Sequence, residues 1–244
     1  MLLFLPGLIC DAHVFAPQLA AFPDARAVDS YGLADSLPQM ARIALEFADR
    51  EGMDRFDLFG HSMGGRVALE LYRLAPERVS RLALVSTGSH SVGPNEPEGR
   101  YKLREIGHQQ GFEALVDTWL PPMVAEHNRS DEALYAPMRQ MCLDKGQAVF
   151  DAQITALLGR PEQESLLPQI ACPTLVMTGE LDAWSPPERH RQIAAAIPDA
   201  KLVIVEGAGH MLPLEAPEPV NQALAEWRAM PATQANPSTV PPRL

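Results

Sequence analysis

The stretch Phe56-Asp57-Leu58-Phe59-Gly60-His61-Ser62-Met63-Gly64-Gly65 decides how the rest of the chain is read. A short apolar run leads into Gly-x-Ser-x-Gly, and then Val67, Leu71 and Leu74 recur at the i, i+4, i+7 spacing of one helix face. The order is strand, sharp turn, helix. A serine at such a turn is thrust past the end of the strand, and glycines flank it because a Cβ at either place would crowd the backbone. The helix that starts behind Ser62 turns its free N–H groups and positive dipole end toward the hydroxyl, so negative charge forming there is stabilised.

Working outward, apolar runs at Leu2–Leu5, Ala25–Val28, Phe56–Phe59, Arg81–Val85, Thr174–Thr178 and Leu202–Val205 alternate with helical patterns. Such near-continuous apolar strands predict a parallel, doubly wound α/β sheet of about six strands, covered on both faces. The alternation stops between Pro94 and Leu167, where four helical patterns follow one another: Arg100–Gln109, Phe112–Trp119, Asp131–Leu143 and Gln147–Leu158. The predicted organisation is therefore a core of residues 1–93 and 168–230, an all-helical cap over 94–167, and a loose, proline-rich tail over 231–244.

At 244 residues and 46% hydrophobic content the chain suffices for one well-buried core. Its formal charge of −11 disfavours a nucleic-acid partner and gives no support for an anionic membrane surface. Cys10, Cys142 and Cys172 lie far apart without a CxxC, which points away from a disulfide framework or zinc knuckle and toward a reducing cytoplasm. Met1–Leu5 is short, lacks a basic flank and runs into Pro6-Gly7, so it reads as a buried strand, not a signal peptide.

Gly60–Gly65 resembles the nucleophile elbow of the α/β-hydrolase superfamily, and the resemblance extends from Met1 to about Met230. The layout is similar to that of pimeloyl-carrier methyl-ester esterases and enol-lactonases, without the pair of strands many members place before Leu2–Leu5. A serine hydroxyl needs a base of pKa near 7 and an acid to orient that base, both from loops at the carboxyl ends of strands. Asp182 matches the aspartate of the family's Gly-x-x-Asp-x-x-x-Pro loop, in Gly179-Glu180-Leu181-Asp182-Ala183-Trp184-Ser185-Pro186, while Glu180 reads as a solvated carboxylate. His210 ends the loop Glu206-Gly207-Ala208-Gly209-His210 and completes the order Ser, Asp, His. The resemblance also implies an oxyanion hole from the backbone N–H groups of Met63 and Leu8, although Pro6-Gly7-Leu8 stands where the family usually has His-Gly-x.

These residues imply acyl transfer to water on a small-molecule ester or lactone, a reaction that calls for no metal or organic cofactor. His61 is expected to pack beneath the elbow, His13 to approach substrate, and His90, His108, His127 and His190 to be solvated. Trp119, Met123, Met138, Met141 and Phe150 are the candidate pocket lining. Seven Lys/Arg against twelve Asp/Glu between Pro94 and Leu167 offer no docking face for an acidic carrier, so small or medium uncharged esters and lactones are expected. Enol-lactone or carbon–carbon hydrolysis, perhydrolysis, proton-abstracting lyase chemistry and ligand sensing without catalysis are the alternatives that the fold leaves open.

Overall fold

The structure is a computed structural model, described here for residues 1–232. The tail expected over 231–244 lies outside the described residues except for its first two.

Six strands form one all-parallel sheet in the order β2-β1-β3-β4-β5-β6. They are β1 (Leu2–Leu5), β2 (Ala25–Ala27), β3 (Phe56–His61), β4 (Val79–Val85), β5 (Thr174–Gly179) and β6 (Lys201–Val205). Every residue of β1, β3 and β5 is buried, as strands packed on both faces require, whereas the edge strands β2 and β6 are partly exposed.

The chain moves from β1 outward to β2 and then returns past β1 to β3, β4, β5 and β6. Right-handed crossovers therefore place α1 (Ala16–Ala21) on one face and α2 (Leu37–Arg50), α3 (Met63–Leu74) and α8 (Pro187–Ala196) on the other. On the first face α1 packs with α9 (Leu212–Glu215) and α10 (Pro217–Arg228). The reversal falls between β1 and β3, and a crevice opens at the carboxyl ends of strands at such a switch point. Leu8 follows β1 and Ser62 follows β3, so both flank it.

Below the crevice Phe4 stacks on Phe15 at 4.7 Å, with Phe59 edge-on to both at 5.0 and 5.7 Å. Four helices lie between β4 and β5: α4 (Glu96–Gln110), α5 (Phe112–Trp119), α6 (Glu132–Leu143) and α7 (Gly146–Leu158). Their first starts four residues before the sequence pattern suggests, because Pro97 is accommodated in its first turn, where no N–H is needed. No helix among the described residues is long and apolar enough to cross a membrane.

Candidate active site

Ser62 sits between β3 and α3 at φ 55° and ψ −120°, a backbone conformation that costs a non-glycine residue on the order of 1–3 kcal/mol. Its neighbours enforce it. The Ser62 N–H donates to the Val85 carbonyl at 2.9 Å, and the Thr87 hydroxyl donates to the Ser62 carbonyl at 2.6 Å. A Cβ on Gly60 would stand 2.3 Å from the Gly64 carbonyl oxygen, and one on Gly64 2.1 Å from that of Leu5, so only glycine lets strand and helix approach this closely.

The Ser62 hydroxyl donates to His210 Nε2 at 2.8 Å, and His210 Nδ1–H donates to Asp182 at 2.9 Å. His210 is 2% exposed and so is Asp182. Burial alone would raise the Asp182 pKa, but attraction to His210 and hydrogen bonds from His210 and the Ser185 N–H bring it below the usual carboxylate value. Asp182 also accepts from the Trp184 N–H at 3.0 Å and the Thr178 hydroxyl at 3.2 Å. It is thus an ionised acceptor with filled lone pairs, able to fix one imidazole tautomer.

The backbone of His210 is held from two sides. Its N–H donates to the Met123 carbonyl at 2.9 Å, and its own carbonyl accepts from His61 Nε2–H at 2.8 Å. His61 is fully buried beneath the elbow; desolvation and the neighbouring His210 pull its pKa down to about 3. Glu215 adds a clamp: one carboxylate oxygen accepts from the Ala125 N–H at 2.8 Å and Asn128 Nδ2 at 3.1 Å, the other from the Met211 N–H at 3.0 Å.

A cavity of about 460 Å³ opens above Ser62 and His210. Leu8 and Met63 line it beside the serine. Met63 begins α3, so its N–H has no carbonyl one turn earlier to bond. The Leu8 loop is anchored where the family's histidine is missing: the Ile9 N–H donates to Gln153 Oε1 of α7 at 2.7 Å, and the Cys10 N–H donates to the Gly7 carbonyl at 3.2 Å.

Trp119 and Met123 also line the cavity; His13, Met138, Met141 and Phe150, expected there from the sequence, do not. Asp11 caps the short turn Ala12–Phe15 and accepts from His13 Nδ1 at 2.8 Å, which leaves that imidazole in solvent. Met138 and Met141 are buried on α6, which packs against α5 and the Ala12–Phe15 turn, and the Phe150 ring meets Phe112 edge-on at 6.5 Å. Two histidines expected in solvent are not there. His190 is fully buried, accepts from the Thr87 N–H at 3.0 Å and donates to the Pro186 carbonyl at 3.3 Å; desolvation takes its pKa down to about 4. His90 is half-buried at the cavity wall beside Arg66.

Arg66, Thr87, Glu96, Arg100, Trp184 and Arg189 are among the wall residues that sequence reasoning did not find. For Arg66 a signal was present: it follows Ser62 by four residues, one helical turn, and so lies on the serine's side of α3. Among the described residues no group of three or more His, Cys, Asp or Glu could hold a metal ion.

A profile of the alpha/beta hydrolase family matches residues 2–223. The chain belongs to the alpha/beta hydrolase family. Among solved structures, a thermophilic esterase from Thermogutta terrifontis with malate bound superposes with a TM-score of 0.88 at 28% identity, covering 95% of this chain and 90% of that one. The dihydrolipoyllysine-residue acetyltransferase component of the acetoin cleaving system of Pseudomonas putida is 31% identical over 232 residues. That match takes in 90% of this alpha/beta hydrolase but only 57% of the relative, so the chain spans little more than half of that protein's length. A 2-hydroxy-6-oxononadienedioate/2-hydroxy-6-oxononatrienedioate hydrolase from Pseudomonas sp is 25% identical over 214 residues, 83% of this chain and 76% of that protein.

Proposed function

We propose that this hydrolase cleaves a small or medium carboxylic ester or lactone through an acyl-enzyme on Ser62. The observation that carries the reading is the single imidazole bridging Ser62 and Asp182, with bonds of 2.8 and 2.9 Å, on the floor of an open cavity. His210 takes the Ser62 proton as Oγ attacks the carbonyl and returns it to the departing alkoxide oxygen; a lactone keeps that oxygen in the acyl chain. A water deprotonated by His210 then attacks the acyl carbon and releases the acid and Ser62. Asp182 stabilises the imidazolium of each step, and the N–H groups of Met63 and Leu8 receive the developing oxyanion. In this reading the segment 94–167 is the cap that selects substrate, and the three buried, free cysteines suit a reducing cytoplasm.

A fluorophosphonate probe tests the proposal. Wild type is expected to be labelled at Ser62, while Ser62→Ala and His210→Ala are not, and Asp182→Asn is expected to lower ester turnover by about three to four orders of magnitude. Folded wild-type protein that resists the probe would overturn the reading in favour of ligand sensing. The dienedioate hydrolase among the relatives favours one second reading, the same triad acting on a carbon–carbon bond. Labelling of Ser62 without turnover of any nitrophenyl ester or lactone would select that reading or the lyase one.

A further inference from the structure

The cavity wall carries more positive charge than its acids balance. Arg66, Arg100 and Arg189 line it, and Arg160, whose side chain is wholly buried, lies behind. One carboxylate serves two of these four: Glu96 meets Arg100 at 2.8 Å and Arg160 at 2.6 Å. Among the described residues, no carboxylate pairs with Arg66 or Arg189. Arg66 is nevertheless only 6% exposed; its guanidinium donates to the His90 carbonyl at 3.0 Å and stands 3.2 Å from the His90 ring.

Both protein partners of Arg66 are neutral. Desolvation and repulsion from Arg160, Arg100 and Arg189, only partly offset by Glu96, push its pKa down to about 9, and His90 is driven to about 3, so the ring adds no charge and accepts none. A buried cation without a counter-charge is costly, and an aliphatic side chain of similar length would fill the same space without that cost. The place is also chemically suggestive. Arg66 follows Ser62 by one turn, about 6 Å along the helix axis. Arg189 comes from the first turns of α8, just beyond the Asp182 loop, and lines both the main cavity and a smaller one of about 140 Å³ that shares Gly88 and His90 with it.

We propose that Arg66 and Arg189 form a carboxylate-binding subsite, and that the substrate is a short acid with a scissile ester or lactone carbonyl at one end and a free carboxylate at the other. Dicarboxylic half-esters and carboxylate-bearing lactones fit this description; the uncharged esters expected from the sequence do not supply the missing counter-charge. A guanidinium presents its N–H groups as a planar fork that matches a carboxylate. The substrate class rests on the hydrolase reading of Ser62, but the subsite itself is testable without turnover.

The test is calorimetric titration of full-length Ser62→Ala protein with the monomethyl and dimethyl esters of succinate, glutarate and adipate. At least one half-ester is expected to bind about tenfold or more tightly than its diester. Added Arg189→Gln or Arg66→Gln is expected to erase most of that preference, and Arg66→Lys, which keeps the charge but not the fork, to retain part of it. If Arg66 serves only to hold the His90 loop, the substitutions change stability but not the ratio of half-ester to diester affinity. Should Arg66→Gln fail to fold, Arg189→Gln gives the same readout, since no ion pair of its side chain is lost. Equal binding of half-ester and diester, absence of half-ester binding at millimolar concentration, or an undiminished preference in the variants would overturn the subsite. Fluorophosphonate labelling of wild type separates the two ideas: a preference without labelling sinks the hydrolase and leaves the subsite standing.

Discussion

Gln153 shows what one buried amide can hold in place. It lies on α7, is 3% exposed, and accepts the N–H of Ile9, a residue held at φ 46° directly after Leu8. In Gln153→Leu that N–H stays buried with no acceptor, at a cost of about 1–3 kcal/mol. If the Leu8 N–H helps receive the oxyanion, its displacement also slows chemistry. Losing one such donor outright costs about 100- to 1000-fold, so kcat is expected to fall by about tenfold to a hundredfold while KM moves little. Steady-state kinetics on a nitrophenyl ester, beside an unfolding curve, would check both halves. Nothing in the sequence marked Gln153, because a glutamine on a helix has no motif and its partner lies 144 residues away. Ser62, Asp182 and His210, which the structure brings together, carried a signal for the opposite reason: the proposed chemistry calls for those residue types, and glycines too crowded for any Cβ fix the turn around the first of them.

At the scale of elements, strands and helices were legible almost throughout, since burial on a sheet leaves an apolar run and burial on a helix leaves a stripe. The stripe says that a face is covered without saying by what. Met138, Met141 and Phe150 have the same pattern as Trp119 and Met123, yet the first three meet protein and the last two meet the cavity. The clamp made by Glu215 joins such elements. It sits at the end of α9 and ties the loop carrying His210 to Ala125 and Asn128, between α5 and α6. Glu215→Gln would keep the shape but leave one acceptor oxygen and turn an NH₂ toward a backbone N–H. The expected cost is about 2 kcal/mol in urea unfolding, with a lower kcat from a less firmly seated imidazole. An unchanged midpoint would show the clamp to be idle.

For the molecule as a whole, acid is the predicted weakness. His61 and His190 are fully buried with folded-state pKa values near 3 and 4, below the usual 6.5. Below pH 6.5 the unfolded chain binds protons that the folded one refuses, so this stability is complete above pH 6.5 and is lost as pH falls toward 4. These two groups alone give a slope of about 2.7 kcal/mol per pH unit once both are protonated in the unfolded state, and His90, also held near 3, adds to it. Thermal unfolding between pH 7 and 4.5 would measure it, and a flat profile above pH 5 would contradict it. Protonated His190 could no longer accept the Thr87 N–H, and Thr87 holds the Ser62 carbonyl, so the elbow is expected to loosen with the fold.

The Met123 carbonyl receives both the His210 and Met211 N–H groups. Together with the Glu215 bonds to Ala125, Asn128 and Met211, that one peptide oxygen fastens the loop carrying His210 to the segment between α5 and α6. If His210 serves as the base of Ser62, a rigid swing of that segment away from the sheet would break these bonds and unseat the imidazole, so the bound state is expected to keep the segment in place. The cavity is edged on its other side by Gly93, Asn95 and Gly99, and an added Cβ at either glycine would meet nothing within 4 Å, whereas Glu96 between them is tied to Arg100 and Arg160.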